Sequence, residues 1–264
     1  MGIKFYSTIH SILYSNGLDQ TEIETPNSQV FAIKSKNLVF YLHNLYPVKN
    51  DFDQLIKKYK TDHKIIHIFE DQWLRNPLMM AYRIKNVLGL NQTIAARACE
   101  LKKLDKPTTD SFFEENHFQG SSSYALKYGL FYKEELVAAM AFSKSRVMTD
   151  SVVLYRSYEL IRFANKQGFT VSGGLQKLLK NFIKEKHAQH IMTYIDLDWG
   201  NGKAFANMGF KDMGNTSVHQ FYVDPTTFKR HTEKEILTQK MPLENYIAIQ
   251  NSGSKKMILD LRIH

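Results

Sequence analysis

The chain has 264 residues, enough for two domains, and its 43% hydrophobic content, with 17 Phe and 14 Tyr, excludes a globally disordered polymer. A single cysteine, Cys99, excludes internal disulfides and points to a reducing, cytoplasmic setting, and the lack of an 18-residue apolar run disfavours secretion and membrane spanning. The formal charge of +9 is spread out: Lys+Arg against Asp+Glu is 11 to 8 in residues 1–93 and 24 to 18 beyond, compatible with a nucleic-acid partner and equally with an ordinary basic surface.

Residues 29–46 read as two β-runs around a Lys-Ser-Lys-Asn turn. Asp51 to Lys60 has the spacing of a short amphipathic helix, Lys64 to Phe69 that of a buried strand, and Leu74 to Leu88 that of a helix stopped by Gly89. Asn91-Gln-Thr-Ile connects to a second domain, giving a division into residues 1–92 and 93–264. In the second part Thr109 onward predicts a capped helix, and Ser121 to Tyr124 a small polar loop. Leu126 to Tyr132 and Glu135 to Ser143 predict a hairpin turning at Lys133-Glu134. A strand from Ser157 to Phe163, a helix from Gly174 to Lys186 and a strand from His190 to Leu197 come next. A helix over 201–208 and a strand over 217–223 complete the series.

The chemistry of the second part centres on Ser172-Gly173-Gly174. Small residues where a strand passes into a helix leave backbone N–H groups open, and the helix dipole adds positive potential suited to a pyrophosphate. Taken alone the tripeptide serves equally as a flexible helix N-cap. A further strand ending in Asp196-Leu-Asp198 leads to Asn201-x-x-Ala204-x-x-x-x-Gly209-Phe210. Asp196 and Asp198 share one strand face and are either functional carboxylates or a turn capping the next helix. Glu159 and Arg162, three apart on a strand, are expected on opposite faces, so one faces a cleft and the other makes an ion pair. His117 sits in a loop over the acceptor side, as either a site residue or a hydrogen-bonded loop histidine.

Together the segments Glu115–Gly120, Gly129-Leu-Phe-Tyr, Tyr158–Phe163, Gly173–Leu178, and Asp196-x-x-Trp199-x-Asn-Gly202 resemble phage and mobile-element proteins described as homing-endonuclease-like. In these a nuclease-related domain precedes a GNAT-like acetyltransferase domain, and the tail Ile247–Met257 is similar to that family's closing hairpin. The resemblance implies an α/β fold: a small N-terminal nuclease-like domain, then a GNAT-like mixed sheet flanked by helices. It implies acetyl-CoA or another acyl-CoA as cofactor, held by Ser172, Gly173, Gly174 and Asn201. It also implies Glu159, Asp196, Asp198 and His117 as catalytic candidates, and an amine acceptor on a small molecule, protein or nucleobase. Many such enzymes carry a tyrosine proton donor four residues before the Gly-Phe; this chain has Phe205 there, and a phenyl ring donates no proton. The phosphate loop of the family is represented only by its Gly173-Gly174 end.

In the first part, Lys64–Trp73 followed by Arg83–Gly89 is similar to the end of a very-short-patch-repair-like nuclease. That resemblance puts Val30 and Tyr41 at the two positions where such a nuclease holds its metal with carboxylates, and neither side chain binds Mg²⁺ in that way. Glu70 and Asp71 are expected to cap the following helix. Lys34, Lys36, Lys49, Lys57, Lys58, Lys60 and Lys64, interleaved with Tyr41, Tyr46 and Tyr59, form either a polynucleotide surface or a solvated face. The alternative to an acyltransferase is thus a non-catalytic DNA-binding accessory protein.

Overall fold

The computed structural model describes residues 2–18, 21–25, 28–33, 36–45, 64–150 and 154–262. The expected helix over Asp51–Lys60 lies outside them, as do Lys34, Lys49, Tyr46 and Tyr59. Contacts divide the chain into two compact units. The first gathers 1–81, 195–201 and 215–255; the second gathers 82–194, 202–214 and 256–264.

The first unit begins with helix α1 (Gly2–Tyr14), which sequence reading had passed over. Ile9, Ile12 and Leu13 fall at helical spacing and are its buried face, while Tyr14 points to solvent. Strands β1 (Thr21–Thr25), β2 (Ser28–Ile33) and β3 (Leu38–His43) form an antiparallel meander, and β4 (Lys64–Phe69) joins β3 in parallel. β3 is buried over five consecutive residues, the pattern of a strand covered on both faces. The helix expected over Leu74–Leu88 is two helices, α2 (Glu70–Arg75) and α3 (Pro77–Leu88), the second of which runs on into the second unit. Pro77 lacks an N–H and pushes its predecessor out of helical geometry, so Asn76 sits at φ −151° and its side chain caps Met79 N at 3.0 Å.

The second unit contains strands β5 (Gln92–Ala95), β6 (Glu100–Lys103), β7 (Leu126–Tyr132), β8 (Glu135–Phe142), β9 (Arg146–Thr149), β10 (Leu154–Asn165) and β11 (Phe169–Ser172). Its helices are α4 (Lys106–Asn116), α5 (Gly174–Lys186) and the short α6 (Lys203–Ala206). Strands β12 (His190–Asp196), β13 (Lys211–Asn215) and β17 (Ser254–Asp260) complete a mixed sheet in the order β13-β17-β12-β10-β8-β7-β6, with β9 on β10; β5 and β11 form a separate parallel pair. The segment read as a connection at Asn91–Ile94 is therefore mostly strand. α4 starts earlier than expected because Asp105 caps it, accepting from Thr108 N at 2.8 Å, with Pro107 in its first turn. The hairpin at Lys133-Glu134 holds, both residues adopting positive φ (48° and 67°) as a tight two-residue turn requires.

β8 is the centre of this core: Val137 to Phe142 are all 0% exposed. One sheet face packs Ala139, Ala141 and Ala164 against Phe112 and Phe113 of α4. The other stacks Phe142 on Phe182 of α5 at 3.6 Å, with Tyr158 edge-on to the same ring at 5.1 Å.

Back in the first unit, β14 (Gln220–Val223), β15 (Arg230–His231) and β16 (Ile247–Gln250) form a small sheet beside α7 (Glu233–Thr238), which opens with a Thr232/Glu235 capping box. The strand expected over 217–223 is β14, shorter at its start, and β13 precedes it as a strand that was not expected. The expected closing hairpin of 247–257 is not one: β16 pairs with β14, whereas β17 enters the large sheet. Gly253 makes that parting possible, at φ +80° and with backbone oxygens of Thr216 and Ser217 2.9 Å from where a Cβ would stand.

Candidate functional site

In the second unit the strand ladder opens. β10 and β12 run parallel through Ser157↔His190, Tyr158↔Ile191 and Glu159↔Met192, and their pairing stops there although both strands continue. One side-chain bond reaches across beyond that point, Thr193 Oγ1 donating to Leu160 O at 3.0 Å. On its other edge β10 shifts register against β8, from Leu160↔Phe142 to Arg162↔Ala141, which leaves Ile161 as a bulge. A parallel pair that parts beside a bulge presents backbone donors and acceptors to whatever lies in the opening.

The bulge corrects the expectation for Glu159 and Arg162. Glu159 lies against Ser143, exchanging Ser143 N to Glu159 O and Glu159 N to Ser143 Oγ, both at 2.9 Å. Ser143, Ala141 and Ala139 alternate onto the α4 face, and Arg162 is paired with Ala141. The extra residue therefore restores both side chains to one face, and the Glu159 carboxylate acts on the Arg162 guanidinium, opposing the lowering that burial imposes on it.

His117 ends α4 on the same side. Its Nδ1 accepts from Gln119 N at 3.2 Å, and its ring meets Phe113 edge-on. Burial pushes its pKa down to about 3, helped by Arg162 and Arg83. At neutral pH it is an uncharged, weakly basic imidazole. Arg162 Nε donates to Gly120 O at 3.3 Å and Arg83 lies over the Phe118 ring, so two guanidiniums flank the 117–120 loop. Gly120 has φ +61°, and a Cβ there would stand 2.7 Å from the Glu114 carboxylate, which in turn accepts from Ser121 N.

Ser172 and Gly173 are exposed at the end of β11, and α5 begins at Gly174. Gly173 is the N-cap at φ +77° with no side chain to satisfy the first helical N–H groups, and the first turn has no acidic residue. Gly174 is buried, with Val171 Cγ1 3.0 Å from the place of a Cβ. Lys177, one turn on, donates to Ala96 O and Cys99 O at 3.0 and 2.6 Å and so pins the start of the helix. Phe205 packs edge-on against Phe210 at 5.3 Å, an apolar contact at the position where the family resemblance has a phenol.

Asp196, Asp198 and Asn201 belong to the first unit. Asp196 Oδ1 accepts from Asp198 N at 3.0 Å, and Asp198, 2% exposed, accepts from Ser252 N at 2.9 Å. The Asp198 carbonyl accepts from His67 N at 2.8 Å. Around His67 lies a polar cluster. Val30, Tyr41 and His67 are register partners across β2, β3 and β4. His43 Nε2 is 2.9 Å from His67 Nδ1, and its ring stacks on Phe69 at 4.3 Å. Arg230 covers Phe69 at 4.7 Å and binds Asp71 with two bonds of 2.6 and 3.0 Å. Glu70 accepts from Leu45 N at 3.0 Å. Neither acid caps a following helix as expected: both lie in the first turn of α2, whose N-cap is Phe69 with no side-chain cap bond, and both are committed to long-range contacts. Burial lowers both imidazoles, His67 to about 4, Asp196 acting on it in the opposite sense. No group of three or more His, Cys, Asp or Glu among the described residues has metal-holding geometry, and none of their helices is long and apolar enough to cross a membrane.

No protein-family model and no curated protein matches the chain. Among solved structures, it is similar to the ribosomal-protein-S18-alanine N-acetyltransferase of Escherichia coli, at 14% identity and a TM-score of 0.38 over 63% of this chain and 96% of that one. It is similar to an acetyltransferase of Bacillus subtilis solved in complex with CoA (14%, TM-score 0.34, 62% and 99%). A third is a histone acetyltransferase HPA2 and related acetyltransferase from Corynebacterium glutamicum (8%, TM-score 0.41, 63% and 98%).

Tyr194, within the strand expected from His190 to Leu197, is a residue of this unit to which no motif gave a site role. It is 43% exposed although β12 lies inside the sheet. Its signal was present in the sequence as an even spacing from Met192, but the register that gives that spacing meaning was not.

Proposed function

We propose that the chain is an acyl-CoA-dependent N-acyltransferase-like protein whose acyl carrier lies in the opening between β10 and β12. The observation that carries this reading is the parting of that parallel pair just past Glu159, beside the bulge at Ile161. An extended carrier with amide groups finds unpaired backbone there, and the open N–H groups of Gly173, Gly174 and the first turn of α5 suit its pyrophosphate. Acyl-CoA has both features. When bound, it supplies a thioester whose carbonyl carbon accepts an amine.

Glu159 is assigned the proton acceptor for that amine, being a half-buried carboxylate on the α4 face. His117, neutral and flanked by two arginines, orients the acceptor instead of deprotonating it. Ser172 is placed with the glycines at the phosphates. Asp196, Asp198 and Asn201 are assigned to the site by their place in the sequence alone. The acceptor is an amine whose carrier we leave open among small molecules, proteins and nucleobases. The division at 92/93, the mobile-element descent and a degenerate very-short-patch-repair-like nuclease in residues 1–92 belong to the same proposal. Val30 and Tyr41, register partners in β2 and β3, are its lost carboxylate positions.

The test is calorimetric binding of acetyl-CoA, with Gly173→Asp as the control. A Cβ at 173 finds only Ala96 Cβ, at 3.7 Å, but the positive φ strains any side chain there, so Gly173→Asn, with the same strain and no charge, is run beside it to isolate the effect of a negative charge at the pyrophosphate. Micromolar binding lost with aspartate and kept with asparagine supports the reading. No binding by the parent overturns it, and salt-sensitive binding to duplex DNA in its place supports the accessory-protein alternative.

A further inference from the structure

We propose that Tyr194 is the proton donor to the departing thiolate in this chain; the inference rests on the acyl-CoA reading above. The position that bears this phenol in similar enzymes holds Phe205, whose ring is spent on Phe210. A donor must therefore come from elsewhere, and the strand register indicates where.

Glu159 and Met192 are in-register neighbours on parallel strands, so their side chains leave the sheet on the same face. Tyr194 is the next residue of β12 on that face, and Thr193 between them turns inward, 4% exposed, to bond Leu160. Two residues along one strand and one step across give a Cα separation of about 8 Å between Glu159 and Tyr194. Their side chains thus rise from one face, one on each side of the opening. β12 is flanked in the sheet by β17 and β10, and an interior strand normally buries its side chains under a helix. Tyr194 stays 43% exposed, so its face is uncovered at the very point where the ladder with β10 has ended.

In the step this arrangement supports, the amine nitrogen attacks the thioester carbonyl carbon and a C–N bond forms. The amine proton passes to the Glu159 carboxylate. The C–S bond then breaks, its electron pair leaves on sulfur, and the Tyr194 hydroxyl proton moves to that sulfur to give the thiol. Glu159 returns the proton to the phenolate through water, so the products are one amide and one thiol. Phenols as a class are protonated at neutral pH and able to give such a proton.

The experiment compares the full-length parent with Tyr194→Phe, following thiol release from acetyl-CoA with a mixture of free-amine peptides and aliphatic diamines as acceptors. The variant is expected to bind acetyl-CoA within twofold of the parent, to release thiol about 100-fold more slowly, and to lose the alkaline limb of the pH–rate profile. A packing role would scale the profile without changing its shape. A variant that keeps the parent's rate or its alkaline limb overturns the assignment of Tyr194 while leaving the acyl-CoA reading standing. A parent that binds no acetyl-CoA, or binds it and releases no thiol above the uncatalysed rate, overturns the acyl-transfer reading and this assignment with it.

Discussion

The two units use similar polar residues to opposite ends. In the first, His43 of β3 meets His67 of β4, and Arg230 binds Asp71 of α2 while its guanidinium closes over Phe69. In the second, Glu159, Arg162 and Tyr194 share a face beside strands that have let go of each other. The first cluster satisfies itself; the second leaves a phenol exposed within a sheet, which is what the proposed site rests on. The first unit looks richer in chemistry by residue type, yet the second has the geometry.

That contrast breaks most readily at Arg230. Arg230→Met strands Asp71, whose side chain is 1% exposed, as a buried charge and is expected to destabilise the first unit by about 3–5 kcal/mol. Asp71→Asn with Arg230→Met should lose less. Hydrogen exchange reads the units separately; faster exchange over 64–75 and 220–231 is expected, and an equal rise across β7 and β8 would contradict the contrast.

Acid tests the same joint. The unfolded chain takes up imidazole protons below about 6.5, whereas the folded pair, with His67 lowered to about 4, resists them. Stability is therefore complete above about pH 6.5 and falls as pH drops toward 4, by ~3 kcal/mol for His67 alone. Urea denaturation at pH 7, 5.5 and 4 measures the loss, and His67→Gln should flatten it.

Smaller effects sharpen the second unit. Gly129→Ala puts a methyl 2.5 Å from Leu136 Cδ1 and 2.9 Å from a Leu104 methyl, under the α4 core, and should cost about 1–3 kcal/mol in urea denaturation. Thr193→Val removes the side-chain tie to Leu160 O past the end of the β10–β12 ladder and should cost about 1 kcal/mol. Its signature is faster amide exchange over 161–165.

Much of the second unit was legible in the chain. The hairpin at Lys133-Glu134, the helix at Gly174–Lys186 and the strand at His190 follow from apolar period and turn position alone. Gly173 was recognisable as a helix start from small residues at a strand-to-helix junction, and its φ of +77° gives the physical reason for a glycine there. The shared face of Glu159 and Arg162 was not, because parity counting assumes an unbroken ladder and a bulge adds one residue that no local propensity marks. The joint in the first unit was hidden for a different reason. Asp71 and Arg230 stand 159 positions apart, and neither has a neighbour in sequence that announces the other.

One feature of the large sheet bears on how the protein is made. β17, residues 254–260, lies between β12 and β13, strands that leave the ribosome some 40 to 60 residues earlier. Until residue 260 has emerged, β12 has an unpaired edge beside its gap with β10, and β13 has no partner in the sheet. The nascent chain thus passes through an interval in which an interior strand is an edge, open to pairing with another chain. Synthesis that stalls between residues 215 and 254 would prolong that interval and leave the edge of β12 open to pairing with another chain.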